Sequence, residues 1–242
     1  MIPKVIHYCW FSEGEKPEKI QHCIDSWRTF LPDYEIKCWN YKNFPRGKSR
    51  WVDEAVEAGK FAFAADYIRA FALFTEGGIY LDSDVEVIKD FTPLLEYPYF
   101  LGRENDGLWE AAVMGTEAGM PLFGDLLEYY AKHEFKTDKG YDVTPLPQIM
   151  SKIGSDRYEV SEIESFSDFD VLSKSLQIVP YDYFSPKSYK TGDISISERT
   201  YTIHHFTASW HGGKEKLYEI VAKVLGNRFA AFCSTIYKKL RR

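Results

Sequence analysis

Cysteine pairs at redox or zinc spacing, long apolar runs and a surplus of positive charge are all missing from this sequence. The four cysteines, Cys9, Cys23, Cys38 and Cys233, show no CxxC spacing. That argues against a thiol-disulfide motif or a ribbon-type zinc site and leaves reduced core thiols as the expectation. No run approaches the about 20 apolar residues that a bilayer-spanning helix needs. No cationic segment leading into an apolar stretch comes before Ile2-Pro3-Lys4-Val5-Ile6, so the expected location is cytoplasmic. A net charge of -6 lacks the basic footprint of phosphate-backbone binding and speaks against a nucleic-acid partner. Internal repeats and low-complexity tracts are also absent.

What remains is a globular pattern. The 242 residues are 45% hydrophobic and 17% aromatic, enough for a packed core with rings left over for stacking on bases or sugars. Lys4 to Trp10 is β-like, and Pro17 opens a helix in which Ile20, Cys23, Ile24, Trp27 and Leu31 recur at helical spacing. Tyr34 to Trp39 reads as a second strand, and this β-α-β order predicts an α/β fold with a parallel sheet. Trp51 to Gly59 is a short helix, and Phe61 to Thr75 is so apolar that it must be mostly buried. Gly77-Gly78 ends it. Further on, Tyr99-Phe100-Leu101, Ala111 to Met114, Ile178-Val179-Pro180 and Tyr201 to Phe206 read as strands, and Pro121 to Lys132 and Lys214 to Leu225 as helices. Thr137 to Asp170 is read as loops around one short helix near Gln148 to Ile153.

The chemistry-bearing feature is Asp82-Ser83-Asp84, between the apolar runs Ile79-Tyr80-Leu81 and Val85-Glu86-Val87-Ile88. Read as part of a strand, residues i and i+2 share a face, so both carboxylates can converge on one divalent cation and through it on a diphosphate. Asp66 and Arg69 share one face of the apolar helix, where charges are costly unless they pair or face a ligand. Trp10 ends the first strand, where parallel sheets bind ligands. His7 is assigned no catalysis. Late in the chain, His204-His205-Phe206-Thr207-Ala208-Ser209-Trp210 joins two imidazoles, a hydroxyl and an indole. Adjacent strand residues face opposite ways, so one of His204 and His205 is expected to join Asp82 and Asp84 at a metal, and the pattern does not say which.

These residues resemble the family 32 glycosyltransferases, the group with a DXD sugar-binding region. The marks are Ile2 to Phe11, Ala62 to Arg69, Gly77 to Asp84 and His204 to Trp210. The resemblance implies a GT-A fold, one Rossmann-like domain over 1-242 with a mixed, mostly parallel sheet flanked by helices. Within it, 1-90 would be the donor nucleotide-binding half, 91-210 the acceptor-side half and 211-242 a C-terminal helical segment. It implies a nucleotide-sugar donor, Mn2+ or Mg2+ as cofactor, and retention at the anomeric carbon. Trp10 would stack on the base, Asp66 and Arg69 would hold the donor sugar, and Tyr80 would lie beside the nucleotide. Asp82 and Asp84 would serve donor and metal, and Ser209 and Trp210 would close over the diphosphate. Ala65, where many relatives carry serine, and Thr144-Pro145-Leu146-Pro147, in place of a glycine-proline turn, depart from the pattern.

The expected function is hexose transfer, from a UDP-sugar in preference to GDP-mannose, to a glycan or lipid-linked saccharide in surface polysaccharide synthesis. Catalysis would rest on Asp66, Arg69, Asp82 and Asp84, and Glu110 or Asp106 would orient the acceptor. A metal-dependent phosphoesterase or glycoside hydrolase, and a non-catalytic sugar-binding module, are the competing classes. The basic end Lys238-Lys239-Leu240-Arg241-Arg242 suits peripheral contact with the inner face of an anionic membrane.

Overall fold

The structure is a computed structural model that describes residues 1–189 and 191–207. Ser209, Trp210, the helix expected over Lys214 to Leu225 and the basic end fall outside the described residues. The chain divides into two units, Met1–Phe206 and Thr207–Arg242, and the first carries the central sheet and the helices packed on it.

The chain begins with β1 (Val5–Cys9), α1 (Glu18–Phe30) and β2 (Glu35–Trp39). Next come α2 (Arg50–Glu57), α3 (Phe61–Glu76), β3 (Gly78–Leu81) and β4 (Val85–Val87). The second half carries β5 (Tyr99–Phe100), β6 (Val113–Thr116), α4 (Pro121–Lys132), β7 (Lys136–Thr137) and β8 (Gly140–Tyr141). It closes with α5 (Leu146–Arg157), β9 (Val160–Glu162), β10 (Leu176–Ile178) and β11 (Thr202–His204). The stretch expected to be loops around one short helix thus holds a small hairpin as well, and the expected helix is longer, α5 burying Leu146, Ile149, Met150 and Ile153 despite its polar composition.

The central sheet has the order β2-β1-β3-β6-β5. β2, β1 and β3 run parallel, β6 runs against β3, and β5, antiparallel to β6, runs with the first three. The sheet is therefore mixed and mostly parallel, as the resemblance implied. Alternation along β3 sends Ile79 and Leu81 into one core and Tyr80 into the other. On Tyr80's side α2, α3, α4 and α5 cover the sheet. On the opposite side α1 packs over β4, its Trp27 donating to the Val85 carbonyl at 2.7 Å while its Ser26 hydroxyl accepts from the Val87 N–H at 2.9 Å. Among the described residues no helix is long and apolar enough to cross a membrane.

Gly77 and Gly78 set where β3 begins, with φ of 67° and 92°. A Cβ at Gly78 would stand 2.7 Å from the Val5 carbonyl oxygen and 3.1 Å from the His7 ring. Both the backbone conformation and the approach of β1 thus require glycine. Gly78→Ala should destabilise the protein by about 2 kcal/mol or more. Urea unfolding checks this, and an unchanged midpoint would show that β1 and β3 do not approach so closely.

Candidate functional site

Because β1 and β3 are parallel, with His7 opposite Tyr80, their carboxyl ends share one edge. Trp10 follows β1 there and Asp82 follows β3. β6 runs the other way and starts at that edge, Val113 pairing with Leu81, so Glu110-Ala111-Ala112 arrives beside the acidic pair. The Asp82 N–H donates to the Ala112 carbonyl at 2.9 Å.

Asp82-Ser83-Asp84 is a turn between strands, closed by the Val85 N–H on the Asp82 carbonyl at 3.0 Å. Strand alternation therefore does not aim the two carboxylates, and the turn does. β11 pairs with β4 so that His204 sits opposite Val85, one residue past Asp84. Ligand atoms of Asp82, Asp84 and His204 all lie within 4.8 Å of one another. His205 departs from the expectation of a metal role: its Nε2 is 2.8 Å from Glu86 Oε2, and its backbone N–H donates to the Asp84 carbonyl.

Two carboxylates and an imidazole converging in this way fit a divalent cation that accepts mixed oxygen and nitrogen ligands, which suits Mn2+ better than Mg2+. Burial opposes charge on His204, but Asp84 above all, then Glu110 and Asp82, hold a proton there and raise its pKa to about 9. The imidazolium occupies the same field of negative charge that would draw a cation.

Arg69 is buried and committed to protein acceptors. Its Nη2 lies 3.0 Å from Asp66 Oδ1 and 3.1 Å from Asp82 Oδ1, and its Nη1 donates to the Ala111 carbonyl at 2.6 Å. Arg69, expected to hold the donor sugar, grips Asp66 and Asp82 here, and its buried Nε has no hydrogen-bond partner among the described residues. Burial raises the Asp66 pKa to about 7, against the pull of Arg69 and with the help of Asp82. Tyr80, expected beside the nucleotide, is 1% exposed, and its hydroxyl donates to Asp82 Oδ1 at 3.0 Å and so holds that side chain.

Trp10 is half-buried on the ligand edge, with the Lys16 ammonium 5.5 Å from its ring centroid. His7 is fully paired: Trp39 donates to its Nδ1 at 3.1 Å and its Nε2 meets the Gly77 carbonyl at 2.9 Å, which is a structural role. Glu110 is 0% exposed, so it does not orient an acceptor. Burial and the neighbouring Glu110 raise the Glu104 pKa to about 8. Tyr130 on α4 was not picked out in the sequence. Its buried hydroxyl has no hydrogen-bond partner among the described residues and feels the charges of Asp66 and Arg69, yet in sequence it is one more apolar-face position of an amphipathic helix.

Residues 17–101 match the family described as "Glycosyltransferase sugar-binding region containing DXD motif". That range holds Asp66, Arg69, Tyr80, Asp82 and Asp84 and leaves Trp10 and His204 outside. The chain is 34% identical to inositol phosphoceramide mannosyltransferase 3 of Schizosaccharomyces pombe over 50% of its own length and 35% of the relative's. It is 27% identical to inositol phosphoceramide mannosyltransferase 2 of the same organism, over 87% of this chain and 59% of that one. Glucan organizing enzyme 1 of Cryptococcus neoformans is 52% identical over 43% of this chain and 34% of that one. The chain thus spans from about a third to three fifths of these relatives' lengths. The solved structure of "PaToxG Glycosyltransferase" is 17% identical, with a TM-score of 0.47 over 64% of this chain and 69% of that one. Over residues 17–101 the chain is thus similar to glycosyltransferase sugar-binding regions with a DXD motif, and that stretch holds Asp66, Arg69, Tyr80, Asp82 and Asp84.

Proposed function

We propose that this chain is a metal-dependent, retaining glycosyltransferase that moves a hexose from a nucleotide-sugar to a glycan or lipid-linked saccharide. The observation that carries the reading is the convergence of Asp82, Asp84 and His204 within 4.8 Å on the sheet edge. Two of the relatives are named as mannosyltransferases, which favours a mannosyl donor such as GDP-mannose over the UDP-sugar expected from the sequence. Retention, the division into halves 1-90 and 91-210, the part of Ser209 and Trp210, a surface-polysaccharide product and a cytoplasmic site of action belong to the same proposal.

Asp82, Asp84 and His204 would hold Mn2+ or Mg2+, which when bound supplies Lewis-acid neutralisation of the departing diphosphate. The protein's own part is orientation. Arg69 and Tyr80 fix Asp82, and Asp66, buried and close to neutrality in pKa, is suited to hydrogen bonds with sugar hydroxyls as donor or acceptor. Trp10 offers its face to the base.

A thermal-shift panel of nucleotide-sugars in Mn2+, followed by transfer assays on the nucleotide that binds, tests the reading. Stabilisation by one nucleotide-sugar is expected. Turnover of simple phosphate esters or glycosides without nucleotide would move the assignment to hydrolysis, and calorimetry without nucleotide binding would leave a sugar-binding module. Trp10→Ala should weaken donor binding about tenfold, the size of one lost base-stacking contact. An unchanged donor Kd by calorimetry would take Trp10 out of the site.

A further inference from the structure

We propose that Glu110 is the positioning residue of the cation site, orienting the His204 imidazole through its Nδ1; the inference rests on the metal reading above. Glu110 is a carboxylate with 0% exposure on the segment leading into β6. Its Oε1 accepts from the Ala112 N–H at 2.6 Å. Its Oε2 and the His204 Nδ1 are both buried without a hydrogen-bond partner among the described residues. The two side chains face each other, Nδ1 to Oε1 at 3.9 Å, while the opposite ring nitrogen, Nε2, stands 3.6 Å from Asp84.

A buried ring nitrogen without a partner, beside a buried carboxylate with one oxygen unpaired, is costly unless some state of the protein joins the two side chains. Metal ligation is such a state. An imidazole that ligates through Nε2 carries its proton on Nδ1, and a carboxylate that accepts this N–H fixes the tautomer and the ring plane. Glu110 is the carboxylate on the Nδ1 side. Phe206 lies against the His204 ring, centroids 3.9 Å apart, which limits how far the ring can swing. The 3.9 Å from Nδ1 to Oε1 leaves a short gap for that N–H to close. The backbone around Glu110 is itself anchored, since the Ala111 carbonyl receives Arg69 and the Ala112 carbonyl receives the Asp82 N–H.

The test is a paramagnetic-resonance titration with Mn2+ alone, on the wild type, Glu110→Gln, His204→Ala and the double variant. Glu110→Gln keeps the shape and an acceptor for the Ala112 N–H. It should weaken Mn2+ binding about 10- to 100-fold. Because Glu110 acts through His204, adding Glu110→Gln to His204→Ala should cost nothing further. Equal Mn2+ affinity in wild type and Glu110→Gln, or an equal loss in both backgrounds, would overturn the inference alone. A wild type that binds no Mn2+ would remove the cation site and the inference with it. If Glu110→Gln does not fold, nitrogen NMR of the wild type loaded with Zn2+ decides: the His204 proton on Nδ1 supports the inference, and on Nε2 overturns it.

Discussion

Asp84→Asn should lower metal-dependent sugar transfer and donor hydrolysis about a thousandfold, a loss of roughly 4 kcal/mol in transition-state stabilisation. Asp82 is already held by Arg69 and Tyr80, and its side chain is 26% exposed against 13% for Asp84. Asp84 lies deeper and faces His204 from the turn. The amide keeps the size of the side chain and removes the charge a divalent cation needs, so the loss should appear in Mn2+ affinity and in turnover together. Steady-state rates across a Mn2+ titration, with a melting curve as the control for folding, make the measurement. Full activity in a folded Asp84→Asn protein would end the metal assignment.

Arg69→Ala should be the most destabilising single change at the site, by about 3 to 5 kcal/mol, the usual cost of removing one partner from a buried ion pair. The side chain is 6% exposed and answers Asp66, Asp82 and the Ala111 carbonyl at once. Its removal strands the Asp66 carboxylate, itself 10% exposed. For a domain of this size the melting temperature should fall by about 6 to 20 °C. Arg69→Lys should not rescue it, because a single ammonium cannot reproduce the planar fork. Adding Asp66→Asn to Arg69→Ala should cost less than the two single losses summed, because the two side chains share one interaction. A melting temperature within about 2 °C of wild type for Arg69→Ala would show that the network carries no weight.

Much of this architecture is legible in the sequence. The helical spacing of Ile20, Cys23, Ile24 and Trp27 marks the inner face of α1. The apolar run after Phe61 marks α3 as buried, and Gly77-Gly78 marks its end. The acidic pair announces itself because carboxylates directly after a buried strand need a reason to be there. What is not legible depends on contacts far apart in the chain. The choice between His204 and His205 is made by the antiparallel register of β11 on β4, and no local pattern encodes that register. Glu110 reads as one acid among several in a loop, and only the reversed direction of β6 buries it beside His204. Arg69 and Tyr80 read as donor contacts by resemblance to the family. Their hydrogen bonds to Asp82 become visible only once the strand end and α3 are placed side by side.

The reversed direction of β6 also bears on how such a site could diversify. β5 ends and β6 begins at the ligand edge, so the connection over residues 101–112 leaves and returns on that edge, tethered at both ends. Its last three residues are tied to Arg69, Asp82 and Ala112's own acceptor, Glu110, whereas the exposed stretch from Asn105 to Gly107 is held within the loop, Gly107 bonding to Arg103 and Glu104. Insertions at the tip leave the register of the parallel strands and the turn of Asp82 to Asp84 as they are. Length and sequence can therefore vary in one short loop without disturbing the acidic turn.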